Sequence, residues 1–191
     1  MQKEKHSLLP EHWLSQLAYT YQCHPLQLNY KEVAKDLFNE NPPQELVTAI
    51  DQLCMAALTE DYAWRQGSPA NALHLGKNIE LLIEVAYLLY RKNDATKINR
   101  KIPRQLNLPS RFLPMPLSAT EYSQPQLFLS SFFTYQSLPQ WKRLLACFTE
   151  HALGSGSVTE ELPGPHFLYF NEYLKKLVYI VFAIGGNIKL K

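Results

Sequence analysis

Apolar positions recur at helical spacing in several separate stretches of the chain, and the breaks between them fall at prolines and glycines. Within 10–21, Trp13, Leu14, Leu17, Ala18 and Tyr21 fall on one helical face. Asn29 and Glu32 form a capping arrangement ahead of Val33, Ala34, Leu37 and Phe38. After Asn41-Pro42-Pro43, the positions Leu46, Ile50, Leu53, Cys54 and Ala57 predict a helix that runs on to Trp64, stopped by Gly67. The longest stripe opens at Ser68-Pro69 and reaches about Lys92, through Leu75, Ile79, Leu82, Ile83, Ala86, Leu89 and Tyr90. Gly76 inside it costs about 1 kcal/mol against alanine, too little to interrupt so long a pattern.

Beyond residue 120 the stripes resume. Ser123-Gln124-Pro125-Gln126 and Ser137-Leu138-Pro139-Gln140 both match the Ser-x-x-Gln capping box. The first leads into Leu127, Phe128, Leu129, Phe132 and Phe133, the second into Trp141, Leu144, Leu145, Phe148 and Ala152. A final stripe follows Gly164-Pro165, with Phe167, Phe170, Leu174, Leu177, Val178 and Val181 on one side and Gly185 placed to cap it. This helix is expected at the centre of the core, against the helix that ends near Lys92.

Proline suits a first helical turn, where its missing N–H would be unpaired and its fixed φ is already helical. Four of the expected helices open in this way, at Pro69, Pro125, Pro139 and Pro165. Between the two halves the prolines act differently. Pro103, Pro109, Pro114 and Pro116 forbid a regular helix, while Leu106, Leu108, Phe112, Leu113, Met115 and Leu117 are too apolar for a free linker. An ordered, extended strap is expected there. With no Asn-Gly hairpin, no sustained alternation and no internal repeat, the fold class is all-α. The chain is expected to be one domain over 1–191, a bundle of about seven or eight helices whose halves, 1–92 and 121–186, are joined by the basic, Pro-rich segment 93–120.

Composition agrees with a packed domain. At 191 residues and 46% hydrophobic content the chain can bury a sizeable core, and charged residues at 19% argue against disorder. The cysteines Cys23, Cys54 and Cys147 are far apart and odd in number, and Cys54 and Cys147 fall at apolar helix positions. Reduced, buried thiols in a cytoplasmic protein are expected. The charged N-terminus, Met1 to His6, is unlike a signal peptide, and the apolar run 177–184 is too short to span a bilayer.

Charge is uneven despite the net +2. Arg91, Lys92, Lys97, Arg100, Lys101, Arg104 and Arg111 face a single acid, Asp94, so 91–111 carries +6 and the remainder −4. Cations at that density suit phosphate contacts, and equally suit a helix C-terminus followed by a solvated strap. Other motifs are weaker. Residues 29–53 resemble a helix-turn-helix in outline, but Glu45 and Asp51 would repel phosphate and a plain helical hairpin is expected. Glu80 and Glu84 share a helical face with His74 more than a turn earlier, and the stripe opposite places both acids in water. The histidines His6, His12, His24, His74, His151 and His166 are scattered, with no Glu-x-x-His, and no metal site is expected. Adjacent Cys23 and His24 do not make a nucleophile and base, and Gly154-Ser155-Gly156-Ser157 reads as a flexible linker.

No catalytic residue and no cofactor is nominated. The expectation is a non-enzymatic binding or regulatory module acting through helical surfaces, with a protein partner or self-association through the 128–133 or 167–182 aromatics. The alternative is a nucleic-acid-associated protein using 91–111. A third reading is an enzyme whose site is assembled from dispersed residues.

Overall fold

The computed structural model describes residues 11–60, 64, 67–91, 117–118, 120–121, 124–162 and 164–185. Among them are seven α-helices and no strand: α1 (Ser15–Tyr21), α2 (Tyr30–Glu40), α3 (Pro43–Leu58), α4 (Pro69–Arg91), α5 (Pro125–Tyr135), α6 (Leu138–Leu153) and α7 (Gly164–Gly185). The fold is all-α, as the periodicity requires. The strap at 93–120 falls almost wholly outside the described residues. At its end, half-buried Leu117 packs against the core, and Ser118 and Glu121 bond each other.

The proline signals hold at four helix starts, with Pro69 and Pro125 at the first helical position and Pro139 and Pro165 at the second. Ser137 opens α6 as expected, its N–H donating to Gln140 Oε1 at 2.8 Å. Ser123, which would open the matching box ahead of α5, lies outside the described residues. Gln124 is the N-cap there without a side-chain bond, and the Gln126 amide nitrogen is buried with no partner among the described residues.

One boundary, and one pairing of helices, differ from the sequence pattern. Helix α3 stops at Leu58 because Thr59 turns extended and its hydroxyl donates to the Ala56 carbonyl at 2.7 Å. Trp64 is buried nonetheless, its indole N–H reaching the Ser68 carbonyl. Consecutive α2 and α3 are no hairpin: α2 packs on α7 and α4, whereas α3 packs on α6 and α7. Asn29 does cap α2, accepting from the Lys31 N–H.

Helix α4 is the axis of the bundle. From Leu81 to Leu89 every side chain is buried, and α1, α2, α5, α6 and α7 all pack on it. A helix buried all round has no wet face, so the amphipathic reading of its second half fails. Gly76 is explained by the same crowding: a Cβ there would meet Thr149 Oγ1 of α6 at 3.2 Å. Helix α7 crosses α2, α3, α4 and α5 and buries Phe170, Leu174, Leu177, Val178 and Val181. At its end Gly185 lies so close to α2 that a Cβ would meet Ala34 Cβ at 2.6 Å. Buried side chains from both halves of the chain form one continuous cluster.

Candidate functional site

Helix α7 sets the site because its apolar surface is wider than the core needs. One side supplies Phe170, Leu174 and Leu177 to the interior, while the next positions round the helix, Leu168 and Tyr169, remain 63% and 50% exposed. Beside them lies a groove of about 320 Å³ between α5 and α7, lined by Leu127, Phe128, Ser131, Tyr169 and Tyr173 and closed at one end by Glu121 and Lys176. A second groove of about 210 Å³, between α3 and α7, is lined by Asp51, Met55, Leu168, Asn171 and Glu172. Glu172 lines both, so the two form one continuous face. Of the seven large apolar side chains exposed among the described residues, Met55, Leu127, Leu168 and Tyr169 lie on it.

The floor of this face is aromatic. Tyr173 stacks on Tyr135 at 5.3 Å between centroids and on Phe128 at 5.8 Å, and Tyr135 also meets Tyr169 at 5.5 Å. Burial and the neighbouring tyrosine hydroxyls push the Tyr135 phenol above its ordinary range, and its oxygen bonds His166 Nδ1 at 3.1 Å. Two of the acids at the rim, Asp51 and Glu121, are paired. Lys175 and Asn171 hold Asp51 at 2.8 and 2.9 Å, and Lys176 holds Glu121 at 2.8 Å. Partial burial raises the Glu121 carboxyl, but the Lys176 ammonium and the Ser118 N–H outweigh it and hold it below the usual carboxylate range. Of the phenylalanines expected at an interface, Phe128, Phe132 and Phe170 are buried, and Phe133, Phe167 and Phe182 half-buried.

Of the basic residues expected to meet nucleic acid, only Arg91 belongs to the described residues, half-buried at the end of α4. Lys92, Lys97, Arg100, Lys101, Arg104 and Arg111 lie outside them. Cys23 and His24 do not form a nucleophile–base pair: His24 Nδ1 accepts from the Leu26 N–H and caps a short 3-10 turn.

Glu84 corrects the sequence reading. It is fully buried, its carboxylate accepting from the Leu17 N–H at 2.7 Å, the Gln16 N–H at 3.1 Å and Lys142 Nζ at 2.6 Å. Helix α1 has no side-chain cap of its own, so a carboxylate from α4 satisfies its free N–H groups and complements its dipole. Burial still raises the Glu84 carboxyl above its usual range, against the lowering effect of these donors. Lys142, from α6, also reaches the Trp13 carbonyl, Ser15 Oγ and Glu80. Nothing local announces this link, because its partners lie between 58 and 129 residues apart.

A third cluster joins α6 to the turn after it. The segment 154–157, expected as a linker, is tied down: Ser157 is buried, donates to the Leu58 carbonyl at 2.9 Å and caps the 3-10 turn Val158–Glu160. That anchorage returns Glu161 to α6, where its carboxylate oxygens lie 3.6 Å from Cys147 Sγ and 3.3 Å from His151 Nε2. Cys147 is thus half-buried at the surface, unlike the fully buried Cys54. Burial, and then the charges of Glu161 and Glu150, push the Cys147 thiol up to about 11. A thiol so raised is protonated at neutral pH and is a poor nucleophile. These three residues could hold a metal. The only hint in the sequence was the four-residue spacing of Cys147 and His151.

The chain matches no family model, no curated protein and no solved structure. Among the described residues no helix is long and apolar enough to cross a membrane.

Proposed function

We propose that the protein is a non-enzymatic binding module that receives an apolar protein segment on the face built by α3, α5 and α7. The observation that carries this reading is the gathering of Met55, Leu127, Leu168 and Tyr169, all exposed, around two adjoining grooves. Large apolar side chains collected in one place on a folded surface mark interaction sites, and aromatic residues are enriched at interface cores. The stacked tyrosines beneath already pack on neighbouring rings, which lowers the ordering cost of binding. Acids decide the class of partner. Asp51 and Glu121 are matched by Lys175 and Lys176, while Glu172 stands exposed on both grooves. Such a face repels phosphates and favours a segment with apolar residues flanked by a lysine or arginine opposite Glu172.

A photo-cross-linking amino acid at position 168, with position 19 on α1 as the control, tests this in cell extract. An adduct specific to position 168 is expected. The segment it identifies, made as a synthetic peptide, should bind the wild type and lose about tenfold or more in affinity against Leu168→Ser or Glu172→Lys. Equal labelling at both positions, or a peptide indifferent to both substitutions, overturns the reading.

A further inference from the structure

Three side chains of different chemistry converge where α6 meets the anchored turn that follows it. Cys147 and His151 stand one turn apart on α6, and Glu161 comes back to both from beyond the 3-10 turn. One donor atom from each lies within 4.8 Å of the other two. We propose that Cys147, His151 and Glu161 form a binding site for a divalent cation of the zinc class, independent of the docking face above.

Geometry is the first support. Zinc binds thiolate sulfur at about 2.3 Å and imidazole nitrogen or carboxylate oxygen at about 2.0–2.2 Å, with tetrahedral angles. Those bond lengths make the nitrogen–oxygen edge of the tetrahedron about 3.4 Å and the sulfur–oxygen edge about 3.6 Å. The observed separations are 3.3 Å from His151 to Glu161 and 3.6 Å from Cys147 to Glu161. The two contacts use different oxygens of one carboxylate. Glu161 is 65% exposed, so a small rotation brings either oxygen, or both, onto the cation.

The tautomer is the second. His151 Nδ1 lies 2.9 Å from the Gly156 carbonyl, which can only accept, so Nδ1 carries the proton. Nε2 is then the nitrogen facing Glu161. A backbone carbonyl on the far nitrogen is the usual way in which a metal-binding histidine is oriented and made more basic. Here the anchored 154–157 turn supplies it.

Ligand type is the third. Thiolate with imidazole selects zinc and its neighbours over magnesium or calcium, which prefer oxygen alone. Without a cation the Cys147 S–H donates to Glu161. Binding exchanges that proton for the metal: the S–H bond breaks, a sulfur–metal bond forms through the sulfur lone pair, and one proton leaves to solvent. Cys147 and Glu161 also line a groove of about 300 Å³ with Gln140, Arg143, Leu144 and His166. It gives a fourth ligand, water included, room to approach.

The test uses the full chain, freed of any affinity tag and stripped with chelator. Titration with cobalt(II) should give one ion per chain, a thiolate-to-cobalt charge-transfer band and release of about one proton per ion near pH 7.5. Zinc should abolish the band by displacement. Cys147→Ser should remove the band, and His151→Gln or Glu161→Gln should weaken zinc binding by about tenfold or more. Cys23→Ser, which removes the other thiol beside a histidine, should change neither. Circular dichroism and thermal melting report whether each variant folds. If Cys147→Ser does not fold, alkylation of the wild type read by mass spectrometry replaces it: zinc should protect Cys147 and leave Cys23 unprotected. Absence of the band, a band that persists in folded Cys147→Ser, or equal labelling of Cys147 with and without zinc overturns the proposal.

Discussion

Helix α6 carries two polar clusters in contrasting surroundings. Near its start, Lys142 turns inward to Glu84, where oxygens of Glu84, Ser15 and the Trp13 backbone surround the ammonium and two backbone N–H groups complete the carboxylate. Near its end, Cys147 and His151 turn toward Glu161, which is largely in water and is held by the two groups it faces. The first cluster is saturated and joins three helices, as a buried charge must be if it is to persist. The second is half-exposed, beside an open groove, with donor atoms at separations that suit a cation. Saturation marks structure, and an incomplete polar set at the surface marks a place for a ligand.

The largest expected effect comes from emptying the saturated cluster. Lys142→Met should leave Glu84 buried without its counter-charge and cost about 3–5 kcal/mol in urea unfolding. Glu84→Gln, which keeps an acceptor for one of the α1 N–H groups, should cost less, about 1–3 kcal/mol. If Lys142→Met unfolds at the same urea concentration as the wild type, the pair does not join α1, α4 and α6 as described.

Acid sharpens the same point. A folded-state carboxyl raised by burial gives a stability contribution that is fully present below the unfolded pKa, about 4.3 for glutamate, and lost as pH rises through the folded value. Removing Lys142 takes away the strongest lowering influence and raises Glu84 further. The deficit of Lys142→Met should therefore shrink as pH falls from 8 toward 5, because the neutral acid is the form its burial favours. Parallel pH–stability curves for variant and wild type would show that Glu84 is not the group responsible.

Much of the fold was legible because helix starts are local. Pro69, Pro125, Pro139 and the Ser137–Gln140 box act over three or four residues, and the α7 stripe from Phe170 to Val181 follows one period. What escaped depends on distance. Glu84 reads as a wet position until α1 and α6 are known to cover that side of α4. The Gly-Ser segment reads as a linker until Ser157 is seen to hold the end of α3, 99 residues away. The exposed flank of α7 also needed the structure, since Leu168 and Tyr169 differ from Phe170 only in which neighbour covers them. Nothing local in Cys147 or His151 announced that Glu161 would meet them, because that meeting depends on the anchored turn between.

The smallest stability effect should come from the open cluster, and its smallness is informative. Glu161→Gln alters an exposed side chain whose contacts with Cys147 and His151 are open to water, and such changes usually lie within about 0.5 kcal/mol. The metal-free protein should thus unfold at nearly the wild-type urea concentration after this substitution. With zinc present the two should separate, because a ligand that binds only the folded state stabilises it by about 2.7 kcal/mol at a hundredfold excess over its dissociation constant. A wild type shifted to higher urea by zinc, beside a Glu161→Gln chain shifted less, would place the difference between the two ends of α6 in ligand binding. Were Glu161→Gln instead as damaging as Lys142→Met without metal, both clusters would be structural and the contrast between them would fail.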